Sequence, residues 1–270
     1  MGDAAAVADD GDQARAPGTP VFETEAVTKQ FGELVAVDQV DIAIDPGEFR
    51  SIIGPNGAGK TTLFNLATGT MSPTDGRIRF RGDDITDLRP HERVRRGIGR
   101  SFQITNVFGG LTVQENVRQA VQATRMADMS LLDRFTRNRS TFEAILDRTD
   151  DVLRRIDLLG HADESAAALA YGDRRRLEIG LVLATDPELV LLDEPTSGMS
   201  ADETAETIRL IDDVLADRTL IIIEHDIDVV MDISDRVTVL DRGRELATGT
   251  PAEISANEHV QEAYLGNSYS

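Results

Sequence analysis

The alternation of apolar and polar positions divides the chain into strands, one glycine-rich turn, a long helical stretch, and strands again. From Val21, short strand-like runs follow one another: VFETEAVT, LVAVDQVDIAI and FRSIIG. The last leads straight into GPNGAGKTTLFNLATG, a glycine loop and then an apolar helix. RIRF is a further strand, bounded by PTDG before it and RGDD after it. From about Ile104 to Ala168 glycine and strand signals thin out. There VQENVRQAVQATRMADMSLLDRF and TFEAILDRTDDVLRRIDLLG read as helices. Strands return with LVLLD (189–193), TLIIIEH (219–225) and RVTVLDRG (236–243). Helix starts are signposted in the last third. Ser200 to Glu203, Thr250 to Glu253 and Ser255 to Glu258 all have capping-box spacing, with Pro251 at a first helical position.

Strands alternating with helices argue for a mostly parallel α/β sheet, with the helical stretch as an insertion. No internal repeat is visible. Residues 1–20 are small, acidic and rich in Pro and Gly, and read as a disordered tail.

Composition narrows the class. Hydrophobic residues make up 40% of the 270, which suits a soluble globular protein. No apolar run approaches the roughly 18–20 residues a membrane span needs. The N-terminus lacks the basic and apolar regions of a signal peptide, so the chain is expected to stay in the cytoplasm. It has no cysteine, which excludes disulfides and thiolate metal sites. Asp and Glu number 48 against 28 Lys and Arg, a net charge of −20, and only Lys29 and Lys60 are lysines. This balance points to a halophilic source, because in molar salt the Debye length is about 3 Å and like-charge repulsion is screened. It also argues against a nucleic-acid binder, which usually carries a basic stripe.

The chemistry concentrates in two stretches. GPNGAGKTT runs from Gly54 through Pro55, Asn56, Gly57, Ala58, Gly59, Lys60 and Thr61 to Thr62 and matches G-x-x-x-x-G-K-[ST]. Its glycines let backbone N–H groups converge on phosphate oxygens, and the following helix adds its positive dipole end. Lys60 is expected to reach the β- and γ-phosphates of a nucleotide, and the Thr61 hydroxyl to bind Mg²⁺. LVLLDEP ends an apolar strand in Asp193 and Glu194, two carboxylates at the sheet edge where ligands of open α/β sheets bind. Asp193 is assigned to the Mg²⁺ shell and Glu194 to the base that activates water. Two lone polar residues extend the set: His225 at the end of a core strand, and Gln103 after IGRSF.

Phosphate loop, Gln103, LAYGD (169–173), LLDEP and His225 follow one another in an order that resembles the ATP-binding cassette (ABC) ATPases, over about residues 21–266. The resemblance implies an α/β P-loop NTPase (RecA-like) core over 21–103 and 169–254. An antiparallel β subdomain, a helical subdomain at about 104–168 and a C-terminal helix at about 255–266 go with it. It places Gln103 with Thr61 and Asp193 at the metal, His225 in hydrolysis, and the Phe31 ring on adenine. LAYGD resembles the family's signature L-S-G-G-Q, so Ala170, Tyr171, Gly172 and Asp173 would face ATP held by the other half of a dimer. Two residues depart from the pattern. Ala170 lacks the signature hydroxyl, and Ser200 stands where relatives usually carry Asp.

GIGRSFQITNVFGGLTVQENV, LAYGDRRRLEIG, EPTSGMS and the ending VQEAYLG resemble the branched-chain amino-acid importer subfamily, and within it the larger ATPase subunit. That implies a second, non-identical ATPase, two membrane permeases and an external solute-binding protein, with this chain at the cytoplasmic face of the membrane. Urea and short-chain amide importers use similar ATPases. A soluble ABC-type ATPase is the reading from another class, though neither heptads nor a second phosphate loop supports it.

Overall fold

The computed structural model describes residues 18–100, 107–125 and 140–265. Gln103, and residues 1–17 of the expected tail, lie outside the described residues. Ten strands form two sheets. β1 (Phe22–Phe31), β2 (Leu34–Ile44), β4 (Asp75–Phe80) and β5 (Asp83–Asp84) make an antiparallel sheet in the order β2-β1-β4-β5. β3 (Phe49–Ile53), β6 (Ile98–Arg100), β7 (Leu189–Asp193), β8 (Thr219–Ile223), β9 (Arg236–Asp241) and β10 (Arg244–Gly249) make the second, in the order β10-β9-β3-β8-β7-β6. Its pairs are parallel except for β10 on β9.

The central strands read as unbroken apolar runs because the sheet is covered on both faces; all five residues of β7 and of β8 are buried. The strand period still sorts them. Val190, Leu192, Leu220 and Ile222 join one core cluster, with Val113, Val117, Ile145, Val152 and Leu177 of the helical side. Leu189, Leu191, Ile221 and Ile223 join the other, with Leu63 and Leu66 of α1 (Lys60–Ala67) and Ile44 and Ile78 of the antiparallel sheet.

The inserted helices α3 (Val113–Arg125) and α4 (Ser140–Arg155) follow α2 (Pro90–Arg95). Val113, Val117 and Val121 recur every four residues, which makes one apolar stripe against the core. A capping box opens α3: the Thr112 hydroxyl accepts from Glu115 N (3.1 Å), and the Glu115 carboxylate accepts from Thr112 N (2.9 Å). The first expected helix, 113–135, is described as far as Arg125. The second stops short of its expected end at Gly160. Asp157 takes a left-handed conformation (φ 57°), and Leu158 N returns to Leu153 O at 2.9 Å, which closes α4.

α5 (Tyr171–Ala184), α6 (Ala201–Leu215), α7 (Ile227–Ile233), α8 (Pro251–Ser255) and α9 (Glu258–Leu265) complete the described α-helices. The Ser200 and Thr250 capping boxes form as read. The Ser255–Glu258 box does not, because Ser255 is the last residue of α8. The Asn257 side chain caps α9 instead, accepting from His259 N (3.0 Å) and Val260 N (3.3 Å). No described helix is long and apolar enough to cross a membrane.

Candidate active site

The phosphate loop joins β3 to α1 at the C-terminal edge of the parallel strands. Its sharp path needs glycine at Gly59. That residue has φ 99°, and a Cβ on it would collide with the Ala36 carbonyl of β2. The loop is tied to both sheets. Gly243 N, in the β9–β10 turn, donates to Ala58 O (3.0 Å), and Asp38 N of β2 donates to Gly243 O (2.8 Å).

Lys60 is buried, and its ammonium donates to the carbonyls of Gly54 (2.6 Å) and Pro55 (3.2 Å). Burial lowers its pKa, and the charges of Glu194 and Asp193 partly counter that. Asp193 ends β7 and is buried as well. Burial raises its pKa, Glu194 and Glu224 add to the rise, and Lys60 opposes it. One cation therefore faces a small crowd of carboxylates at the sheet edge. Thr61, next along α1, is exposed.

Glu194 carries its own backbone signature. Its φ is 45°, unusual for a residue with a side chain, and its N–H donates to Ile223 O of β8 at 2.9 Å. The chain turns sharply there, and Ser197 N closes the turn on Glu194 O (3.1 Å). His225 stands just past β8 with an exposed side chain. Between them lies Glu224, fully buried, which the reading of TLIIIEH passed over. Its Oε1 accepts from Thr196 N (3.1 Å) and Thr196 Oγ1 (2.7 Å), and its Oε2 accepts from His225 N (3.3 Å).

Phe31 is 46% exposed at the end of β1, and the Lys29 ammonium lies 5.3 Å from its ring centroid. The signature helix α5 starts at Tyr171, one residue before Gly172. Ala170 is its N-cap and offers no side-chain acceptor. Tyr171 and Gly172 are exposed. Gly172 is in a helical conformation with open space around its Cα, so nothing among the described residues demands glycine there. Arg175, one turn on, donates to Pro195 O beside Glu194 and to the Glu178 carboxylate (2.5 Å). Ser200 is a helix cap, its hydroxyl and N–H both on Glu203.

A model of the ABC transporter family matches residues 37–197. The chain belongs to the ABC transporter family. A second model, of the branched-chain amino acid ATP-binding cassette transporter, matches residues 244–270. The chain is 43% identical to the high-affinity branched-chain amino acid transport ATP-binding protein LivG of Escherichia coli K12. That match covers 92% of this chain and 98% of LivG. It is 39% identical to the corresponding protein BraF of Pseudomonas aeruginosa, over the same shares of the two chains. The solved ADP conformation of MJ1267, an ATP-binding cassette of an ABC transporter, superimposes with a TM-score of 0.77 at 29% identity. It covers 92% of this chain and 99% of that one. As an ABC cassette, the chain binds and hydrolyses ATP.

Proposed function

We infer that this chain is the ATPase subunit of a branched-chain amino-acid importer. It works at the cytoplasmic face of the membrane with a second, non-identical ATPase, two permease subunits and an external solute-binding protein. The likeness to LivG over 92% of the chain carries this reading. The match of the C-terminal segment supports it; there Ile254 of α8 and Val260 of α9 pack on Val237 and Val239 of β9.

In this reading the loop from Gly54 to Thr62 cradles the phosphates and Lys60 neutralises them. Phe31 stacks on adenine, Glu194 takes the proton of the attacking water, and His225 and Gln103 act beside it. Ala170 to Asp173, at the start of α5, face the ATP of the other subunit. Their own hydroxyl is missing, so a partner that keeps the serine makes the pair complementary.

Asp193 and Thr61 suit Mg²⁺. No group of three or more ligating side chains forms a closed cage among the described residues. Mg²⁺ is usually held by one or two carboxylates together with phosphate oxygens and waters. Bound there, it would neutralise charge on the phosphates.

The test is uptake. Proteoliposomes holding this chain with its co-encoded permeases and second ATPase are expected to take up labelled leucine when ATP and the binding protein are supplied. Uptake of urea in place of leucine would assign the chain to the amide importers. Failure to co-purify with any membrane protein would make it a soluble ATPase.

We also read the source as halophilic, on the strength of the −20 charge and the two lysines. Far-UV circular dichroism is expected to show unfolding on dilution from molar to millimolar KCl, as the Debye length grows from about 3 Å to roughly 30 Å. A spectrum unchanged in dilute buffer would reject that reading.

A further inference from the structure

Glu224 is buried, hydrogen-bonded and unused by the reaction just described. A fully buried carboxylate is costly unless hydrogen bonds hold it, and three donors do so here. Those donors belong to two segments far apart in sequence, which the bond from Glu194 N to Ile223 O also joins. Thr196 lies two residues past Glu194, on the turn that follows β7. His225 lies at the end of β8. One oxygen takes both Thr196 donors, at 2.7 and 3.1 Å. The other takes His225 N–H at 3.3 Å and lies 3.6 Å from His225 Nδ1, too long for a direct bond. The turn is also held from its far side, where Arg175 donates to Pro195 O.

We propose that Glu224 is a positioning residue for hydrolysis: it fastens the turn carrying Glu194 to the strand end carrying His225, so that base and histidine keep one relative geometry. The proposal rests on the roles given above to Glu194 and His225. Glu224 touches no substrate and acts through both. A glutamine in its place could still accept from Thr196, but its amide would turn a donor toward the His225 N–H, and the His225 peptide would shift against the turn even with the Glu194 N–Ile223 O bond kept. A misplacement on the order of 1 Å can cost about a hundredfold in rate while leaving binding intact.

The experiment is ATP hydrolysis by the full transporter complex in proteoliposomes. Glu224→Gln is expected to lower kcat about tenfold or more with the KM for ATP within about twofold. Thr196→Val, which removes the 2.7 Å bond and leaves the charge in place, is expected to lower kcat in the same sense, and Thr196→Ser to restore it. Glu224→Gln combined with His225→Ala should be no slower than the slower single variant, because residues acting as a unit are not additive. Thr196→Val and Thr196→Ser carry the test if Glu224→Gln does not fold. Should Glu194→Gln and His225→Ala both be slow while Glu224→Gln and Thr196→Val match wild type, the positioning role falls and the site reading stands. Wild-type turnover in Glu194→Gln or His225→Ala would bring down the site reading and Glu224's role with it. Additive losses, or a raised KM at unchanged kcat, would likewise overturn the proposal.

Discussion

Glu194→Gln is expected to bind MgATP and hydrolyse it slower than wild type by about 10²–10⁴-fold, the usual contribution of a general base. The substitution keeps the shape of the side chain and the 2.9 Å bond from Glu194 N to Ile223 O, so the turn at φ 45° should survive. Lys60, the phosphate loop and Asp193 are untouched, so nucleotide affinity should persist. With binding intact and turnover slow, the ATP-bound dimer with the second ATPase should accumulate and be seen by size-exclusion chromatography. Steady-state phosphate release at the wild-type rate would remove Glu194 from the role of base. On the proposed pairing, in which ATP would favour the closed state, such a variant would also hold the permeases in one of their two states.

The largest effect on stability is expected from Arg93→Met. Arg93 is 1% exposed and donates to five carbonyls: Leu88 (3.1 Å), Leu66 and Ala67 (both 2.7 Å), Ile85 (2.8 Å) and Thr86 (3.0 Å). Burial pulls its pKa down to about 10, partly countered by Asp84 and Asp87, so it stays charged at neutral pH. The guanidinium sits at the C-terminal end of α1, where a positive charge complements the helix dipole. Methionine fills a similar volume and bonds none of the carbonyls. Stranding several buried acceptors at once should cost about 3–5 kcal/mol, at the upper end of single substitutions. A urea unfolding curve in molar KCl, with unchanged slope, would measure it. A loss under about 1 kcal/mol would mean that water or a neighbouring donor replaces the arginine.

The parts legible in the sequence are those whose cause is local. The phosphate loop is contiguous, so its glycines and Lys60 announce it. β7 and β8 are unbroken apolar runs, and a doubly covered sheet has no other way of appearing. β6 escaped because it has three residues, one of them Gly99, and exists only through its pairing with β7. β10 escaped because RELATG is a polar edge strand with no alternation to speak for it. The failed box at Ser255 has a different cause. Several capping residues crowd one turn there, and the pattern cannot tell that Asn257, two residues on, has the better geometry. Glu224 and Arg175 were the hardest. Their partners, Thr196 and Pro195, lie 28 and 20 residues away. Local pattern cannot express such a pairing, so a charged residue ending an apolar run reads simply as the end of the strand.

The sparing use of lysine has a practical outcome. Of 28 basic residues only two bear a primary amine on the side chain. One lies in the phosphate loop, and the other lies over the ring of Phe31. Reductive methylation with ¹³C-formaldehyde would place NMR reporters on Lys29 and the α-amino group, while the buried Lys60, whose ammonium bonds two loop carbonyls, would resist it. The Lys29 line would follow nucleotide arrival at the Phe31 end, in a chain that has no cysteine to label.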